Sequence, residues 1–258
     1  MSSAPDSLRL RVFGSPGAAP LLLLHPIAVQ GDIWSPQWPV LAQKRLVIVP
    51  DLPGHGESAL LPEGAGVEDY AQAIWRSIDT LGLADIAVAG LSFGGMVAQA
   101  MALAQPERVQ RLVLAHCGAS TSPAVAGLWQ ERIRAAQADG MQAQVQGTLE
   151  RWFTPDFRQQ APASCAWVGK MVAAAPLPGY VAAAHAICRL DHRDLLARLH
   201  IPALVIGGGQ DKAVPLEVSE ALAGALPKAE FVAMPEAAHM GNIEQATRFT
   251  ETLHAFLP

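Results

Sequence analysis

The stretch Gly90-Leu91-Ser92-Phe93-Gly94-Gly95 constrains the fold of this chain more than any other. The apolar run Ile86-Ala87-Val88-Ala89 leads into it, and Met96 to Ala104 follows with the composition of a buried helix. Strand, G-x-S-x-G, helix is the context that a nucleophile elbow requires. Glycines two before and two after the serine let strand and helix close on each other. The turn lifts the Ser92 hydroxyl above the sheet edge, at the positive end of the following helix. The flanking pattern therefore predicts a nucleophilic serine rather than a tight structural turn.

The rest of the chain supplies the sheet that such a turn needs. Leu21 to Leu24, Arg45 to Val49 and Arg111 to Ala115 are short apolar runs, as expected of strands buried on both faces. Apolar residues at Val67, Tyr70, Ala71, Ile74, Ile78 and Leu81 have helical spacing, with Glu68 and Asp69 in the first turn. After Gly118 the rhythm changes. Residues 119–196 show no strand pattern and read as helices broken at Pro123, Pro155, Pro162, Pro176 and Pro178. Alternation then resumes with a strand at Ala203 to Ile206, a helix from Leu216 to Leu226 and a strand at Glu230 to Met234. A last helix buries Phe249, Leu253 and Phe256. The expected class is α/β, with a mostly parallel central sheet flanked by helices. Residues 1–118 and 197–258 form the core, and 119–196 form a helical cap.

At 258 residues, 51% hydrophobic and 16% charged, the chain can bury a large core. Its net charge of −5, without runs of Lys or Arg, argues against nucleic acid or an anionic membrane surface as partner. Cys117, Cys165 and Cys188 have no C-x-x-C spacing and read as small buried hydrophobes rather than a disulfide framework or metal site. Met1 to Asp6 lack the basic and apolar regions of a leader, and Leu21 to Leu24 is too short to span a bilayer; a cytoplasmic location is expected. The glycines at 207–209 lack the Gly-Lys-Ser/Thr or G-x-G-x-x-G continuation of a nucleotide loop.

A serine hydroxyl needs a histidine base, and that base needs a carboxylate to orient it. In an α/β hydrolase these follow in the order Ser, Asp or Glu, His, each after a strand. Asp211 follows the strand ending at Ile206, and His239 follows the strand ending at Met234. Both are assigned catalytic roles beside Ser92. The oxyanion needs two N–H donors. Phe93, next after the nucleophile, offers the first; Ile27 offers the second, with Ala28 as the alternative, because Pro26 has no N–H. His116, ending a central strand, is placed at the pocket floor. His55 reads as structural, and His185, His192, His200 and His254 have no metal-ligand spacing.

With those residues placed, the chain resembles the α/β-hydrolase-fold serine hydrolases, and among them the 3-oxoadipate enol-lactonases of the β-ketoadipate pathway of aromatic catabolism. Asp51 to Ser58 and Gly90 to Gly95 are shared across the superfamily. More specific are Trp129 with Arg132 and Ile133, the run Glu150 to Phe157, Gly179-Tyr180, and Ala238 to Gln245. The resemblance implies a carboxylic ester hydrolase that opens a small enol-lactone carrying an acetate arm, without metal or organic cofactor. Trp129, Arg132 and His25 are the expected substrate contacts, with Arg151 and Arg189 as alternative cations. Trp129 and Arg132 share one helix face. The chain departs from the family at His25-Pro26-Ile27-Ala28-Val29, where the family carries a small, glycine-containing segment. The alternatives are another small carboxylic ester or thioester hydrolase, or an acyltransferase or perhydrolase using the same residues.

Overall fold

A computed structural model describes residues 8–257; the leader reading made on Met1 to Asp6 lies outside them. In chain order the strands are β1 (Leu10–Phe13), β2 (Pro20–Leu24), β3 (Leu46–Pro50), β4 (Ile86–Leu91), β5 (Val109–Ala115), β6 (Ala203–Gly208) and β7 (Ala229–Met234). They form one seven-stranded sheet in the order β1-β3-β2-β4-β5-β6-β7. Only β1 runs antiparallel, paired with β3; every other neighbouring pair is parallel. The strand order reverses between β2 and β4, the kind of crevice where open α/β sheets place their ligands.

The apolar runs form strands because both faces are covered. Every residue of β4 and β6 is buried, with flanking helices supplying the second and third layers. Those helices are α1 (Trp38–Leu41), α2 (Val67–Thr80), α3 (Phe93–Ala104), α4 (Pro123–Trp152), α5 (Pro155–Gln160), α6 (Pro162–Ala174), α7 (Leu177–Cys188), α8 (Leu216–Ala225), α9 (Gly241–Glu244) and α10 (Ala246–Phe256). α2 begins where Asp69 accepts the Gly66 N–H at 2.8 Å, and its buried face packs on α3. α3 is buried on all sides from Phe93 to Ala102, which its apolar sequence permits; Gln99, the polar side chain within that stretch, donates to the Gly118 carbonyl at 3.0 Å.

Between β5 and β6 lie helices α4 to α7, turns, a short 3₁₀ helix at Leu196–Arg198 and an isolated antiparallel bridge between Ser120 and Asp191. The helices break at the expected prolines, each of which stands at the start of the next helix: Pro123, Pro155 and Pro162 occupy first positions, Pro176 precedes α7, and Pro178 lies in its first turn. At such positions proline lacks an N–H that would have no partner anyway. α4 is interrupted at Gly140, whose φ of 75° and ψ of 174° are not helical. Both α6 and α7 pack on the core of this segment through buried Cys165, Val168, Val172, Tyr180, Ala183 and Ile187. No single described helix is long and apolar enough to cross a membrane; α6 and α7 meet at a 95° bend.

Candidate active site

Ser92 joins β4 to α3 with φ 55° and ψ −117°. Such backbone costs a residue with a side chain roughly 1–3 kcal/mol. The motif explains how it is reached. A methyl at Gly90 would run into the Gly94 carbonyl, and one at Gly94 into the Leu24 carbonyl at the end of β2. Among the described residues the non-glycine positions of positive φ are Ala28 (63°), Ser92 (55°) and His116 (52°). They lie beyond the ends of β2, β4 and β5, three adjacent strands, so the strained backbone gathers in one place.

The fold brings Ser92, Asp211 and His239 together from three strand ends. Ser92 Oγ lies 2.9 Å from His239 Nε2, and His239 Nδ1 lies 2.8 Å from Asp211 Oδ2. Asp211 Oδ1 accepts the N–H groups of Ala213 at 2.8 Å and Val214 at 2.9 Å, so the carboxylate is fixed on both oxygens. Burial works against its charge. The nearby His239, with hydrogen bonds from His116 and His239, outweighs that and holds the carboxyl well below the usual carboxylate range. Ionised Asp211 accepts the Nδ1–H of His239, which leaves the Nε2 lone pair facing the Ser92 hydroxyl. Such a set can take a proton from the serine as its oxygen attacks.

Phe93 opens α3, where backbone N–H groups have no partner within the helix. Its ring is fully buried, edge-on to Tyr70 at 5.0 Å, which fixes the backbone beside Ser92. Ile27 lies on the loop after β2, and close packing of Gly94 against the Leu24 and His25 carbonyls brings that loop beside the elbow. The expectation for His25 is corrected. Its Nδ1 donates to the Pro26 carbonyl at 2.7 Å, and its Nε2 accepts the Leu52 N–H at 2.8 Å. Burial, reinforced by the neighbouring His55, lowers its pKa to about 3. The neutral, fully buried ring ties the loop after β2 to the loop after β3 and has no polar atom left for a substrate.

His116 also lies elsewhere than expected. It does not floor the pocket but stands behind Asp211, fully buried, with Nδ1 3.2 Å from Oδ2. His116, Asp211 and His239 bring one possible metal-ligand atom each within 4.8 Å. Those atoms are already joined by hydrogen bonds, so a cation there would displace the contact that orients His239. Cys117 is buried, and burial pushes its thiol up to about 12, so it is no rival nucleophile.

The alpha/beta hydrolase fold family matches residues 19–246. The chain belongs to that family. It is 26% identical over 251 residues to 3-oxoadipate enol-lactonase 2 of Acinetobacter baylyi, covering 97% of this chain and 93% of that one. The crystal structure of the enol-lactonase from Burkholderia xenovorans LB400 superposes with a TM-score of 0.92 at 31% identity, covering 97% of this chain and 96% of that one. A thermophilic esterase from Thermogutta terrifontis, solved with malate bound, gives a TM-score of 0.91 at 31% identity over 97% and 92% of the two chains. The alpha/beta hydrolase fold and the resemblance to 3-oxoadipate enol-lactonases thus stand on nearly the whole chain.

The helical segment contributes two half-buried cations. The Arg132 guanidinium lies 4.8 Å from the centre of the Trp129 ring, which in turn sits 6.4 Å from Tyr180. Arg151 bonds the Thr148 hydroxyl at 3.1 Å. Burial depresses the pKa of both, and for Arg151 the positive Arg132 nearby adds to the effect. Glu150, beside Arg151 in sequence, accepts instead from Gln146. No ion pair holds either guanidinium among the described residues. Arg189, by contrast, is occupied by the Gly64 and Ala65 carbonyls. The end of α4 rests on the His239 loop: the Trp152 ring lies 6.0 Å from the His239 ring, and the Trp152 carbonyl accepts the Met240 N–H at 3.1 Å. Glu244 completes that seam by accepting from the N–H and hydroxyl of Thr154 and from the Ala238 N–H. Sequence reasoning passed over Trp152 and Glu244 in this role, although both lie in the stretches that resemble the enol-lactonases.

Proposed function

We propose that the protein is a serine hydrolase that opens a small enol-lactone bearing a carboxylate, 3-oxoadipate enol-lactone being the substrate the resemblance implies. The observation that carries the chemistry is the unbroken Ser92–His239–Asp211 chain of hydrogen bonds at 2.9 and 2.8 Å. Ser92 attacks the lactone carbonyl while His239 takes its proton. The N–H groups of Phe93 and Ile27 hold the oxyanion. Ring opening expels an enolate, which His239 protonates, and the enol relaxes to the ketone. That favourable tautomerisation makes the leaving group an easy one. Water, activated by His239, then releases the acyl group from Ser92 and restores the serine.

The substrate class is supported by Arg132 and Arg151, two half-buried guanidiniums of the helical segment that no ion pair holds among the described residues and whose chemistry suits a ligand carboxylate. Malate in the Thermogutta terrifontis esterase is a carboxylate ligand of a related protein and agrees with this reading.

The test is hydrolysis of 3-oxoadipate enol-lactone, followed by loss of ultraviolet absorbance, for the unmodified protein beside Ser92→Ala. A neutral aryl ester is run in parallel. Turnover of the lactone that falls roughly 10⁴-fold in the variant supports both chemistry and substrate. Cleavage of the aryl ester alone would keep the serine mechanism and replace the lactone by another small ester or thioester.

A further inference from the structure

Asp211 carries two imidazoles on one oxygen. Oδ2 faces His239 Nδ1 at 2.8 Å and His116 Nδ1 at 3.2 Å, while Oδ1 is filled by two backbone N–H groups. A two-membered relay needs only the first imidazole. The second is accommodated at visible cost. His116 holds left-handed backbone at φ 52°, which a bulky side chain disfavours. Its own N–H donates to the Ile206 carbonyl of β6 at 2.8 Å, fixing it at the joint between β5 and β6. Glycines clear the space for its ring: a methyl at Gly241 would stand 2.6 Å from Nε2, and one at Gly208 3.1 Å from Cε1. The ring is edge-on to that of His239, their centres 5.8 Å apart.

The tautomer follows from the partners. An ionised carboxylate only accepts, so His116 Nδ1 carries the hydrogen. Nε2 is buried and has no hydrogen-bond partner among the described residues, so a proton added there would be a charge without an acceptor. Burial lowers the pKa of His116, against the pull of Asp211, and the neutral form is the one the site holds. The titratable and charged groups facing this cluster are Asp211 from the β6–α8 loop, His239 from the β7–α9 loop and, acting on Asp211 from α9, Glu244.

We infer that His116 is a positioning residue of the reaction: a permanently neutral Nδ1–H donor that shares Asp211 Oδ2 with His239 and so limits how strongly the carboxylate holds a proton on the His239 ring. The inference rests on the relay proposed above. A donor on Oδ2 withdraws charge that His239 would otherwise receive. The coupled cluster then releases its proton at lower pH than a bare Asp–His pair would, and Nε2 is free as a base over a wider range. Neither the strand pattern nor the resemblance assigns His116 this part.

Two variants separate the donor from the bulk. His116→Asn places an amide N–H near the position of Nδ1, and His116→Gly removes the donor; both residues accept left-handed backbone. The reactivity of Ser92 toward a fluorophosphonate probe is measured against pH, with folding checked by circular dichroism and thermal melting. The acid limb of labelling is expected to keep its place in His116→Asn and to move to higher pH by roughly one unit in His116→Gly. A folded His116→Gly protein whose limb matches the unmodified protein would overturn the inference and leave His116 as packing.

A second readout needs no reactive serine. Ring ¹⁵N resonances of His116, assigned by their loss in His116→Asn, are expected to report a neutral Nδ1–H tautomer from pH 5 to 9. An Nε2–H tautomer, or protonation within that range, would also overturn the inference, and this arm decides the matter if His116→Gly does not fold. Absence of Ser92 labelling in the unmodified protein would count against the serine-hydrolase reading alone.

Discussion

His239 Nε2 meets Ser92 Oγ at 2.9 Å although 147 residues separate them. The serine is held by strained backbone between β4 and α3, and the histidine by a loop fastened at both sides, through Ala238 to Glu244 and through Met240 to Trp152. Groups that act as one unit do not lose activity additively. Ser92→Ala and His239→Ala are each expected to lower kcat/KM roughly 10⁴-fold or more, and the double variant to fall little further. Steady-state kinetics on a neutral aryl ester gives all three values. A double variant far below either single one would mean that serine and histidine act separately.

Arg132 and Arg151 allow substrate recognition to be separated from chemistry. A hydrogen bond from a guanidinium to a carboxylate contributes about 1.5–3 kcal/mol, or roughly 10- to 100-fold in affinity. Arg132→Leu and Arg151→Leu are expected to raise KM for a carboxylate-bearing lactone by about that factor. A neutral aryl ester should be cleaved within about threefold of the unmodified rate. Equal losses on both substrates would assign the arginines to packing against Trp129 and Thr148 instead.

Glu244 joins the helical segment to the histidine loop. One oxygen accepts the Thr154 N–H at 2.7 Å and hydroxyl at 2.9 Å, and the other accepts the Ala238 N–H at 2.5 Å. Glu244→Ala would leave these buried or half-buried donors without a partner, at about 1–3 kcal/mol for each that water does not reach. Urea denaturation should show a loss of about 2–4 kcal/mol, with Glu244→Gln losing less because one acceptor oxygen remains. kcat should fall several-fold in Glu244→Ala, since Ala238 precedes His239. Unchanged stability would mean that water replaces the carboxylate at this seam.

The sequence shows its strands and elbow because their signals are local. Apolar runs ended by glycine or proline mark β2 to β7, and Ser92, Asp211 and His239 each follow such a run, so their meeting at one end of the sheet follows from parallel strands. Signals fade where burial is partial or partners are distant. β1 has half-exposed residues, Val12 among them, and no apolar run to announce it. Gly140 interrupts α4 without a proline to mark the break. His25 resembles a pocket residue until both its ring nitrogens are seen to be engaged by Pro26 and Leu52. His116 and Asp211 are 95 residues apart, and Thr154 and Glu244 are 90 apart, in pairings that no periodicity encodes.

The buried histidines also set how stability depends on pH. Burial comes first in lowering both pKa values, to about 3 for His25, where His55 adds to it, and to about 4 for His55. In the unfolded chain both return to about 6.5. Their folded pKa values are depressed, so between about pH 6.5 and 4 the unfolded chain binds more protons than the fold does, and stability falls as pH falls. Each such histidine contributes a slope of about 1.4 kcal/mol per pH unit in that window. Urea unfolding at pH 7, 6, 5 and 4.5 should therefore show a steep decline below pH 6.5. Among the described residues His55 makes one side-chain bond, from Nδ1 to the Pro53 carbonyl at 3.1 Å, and its Nε2 has no partner. His55→Asn can keep that donor while removing the titrating ring, so its decline should be shallower by about 1.4 kcal/mol per pH unit. A slope that does not change would show that His55 takes up its proton within the folded protein.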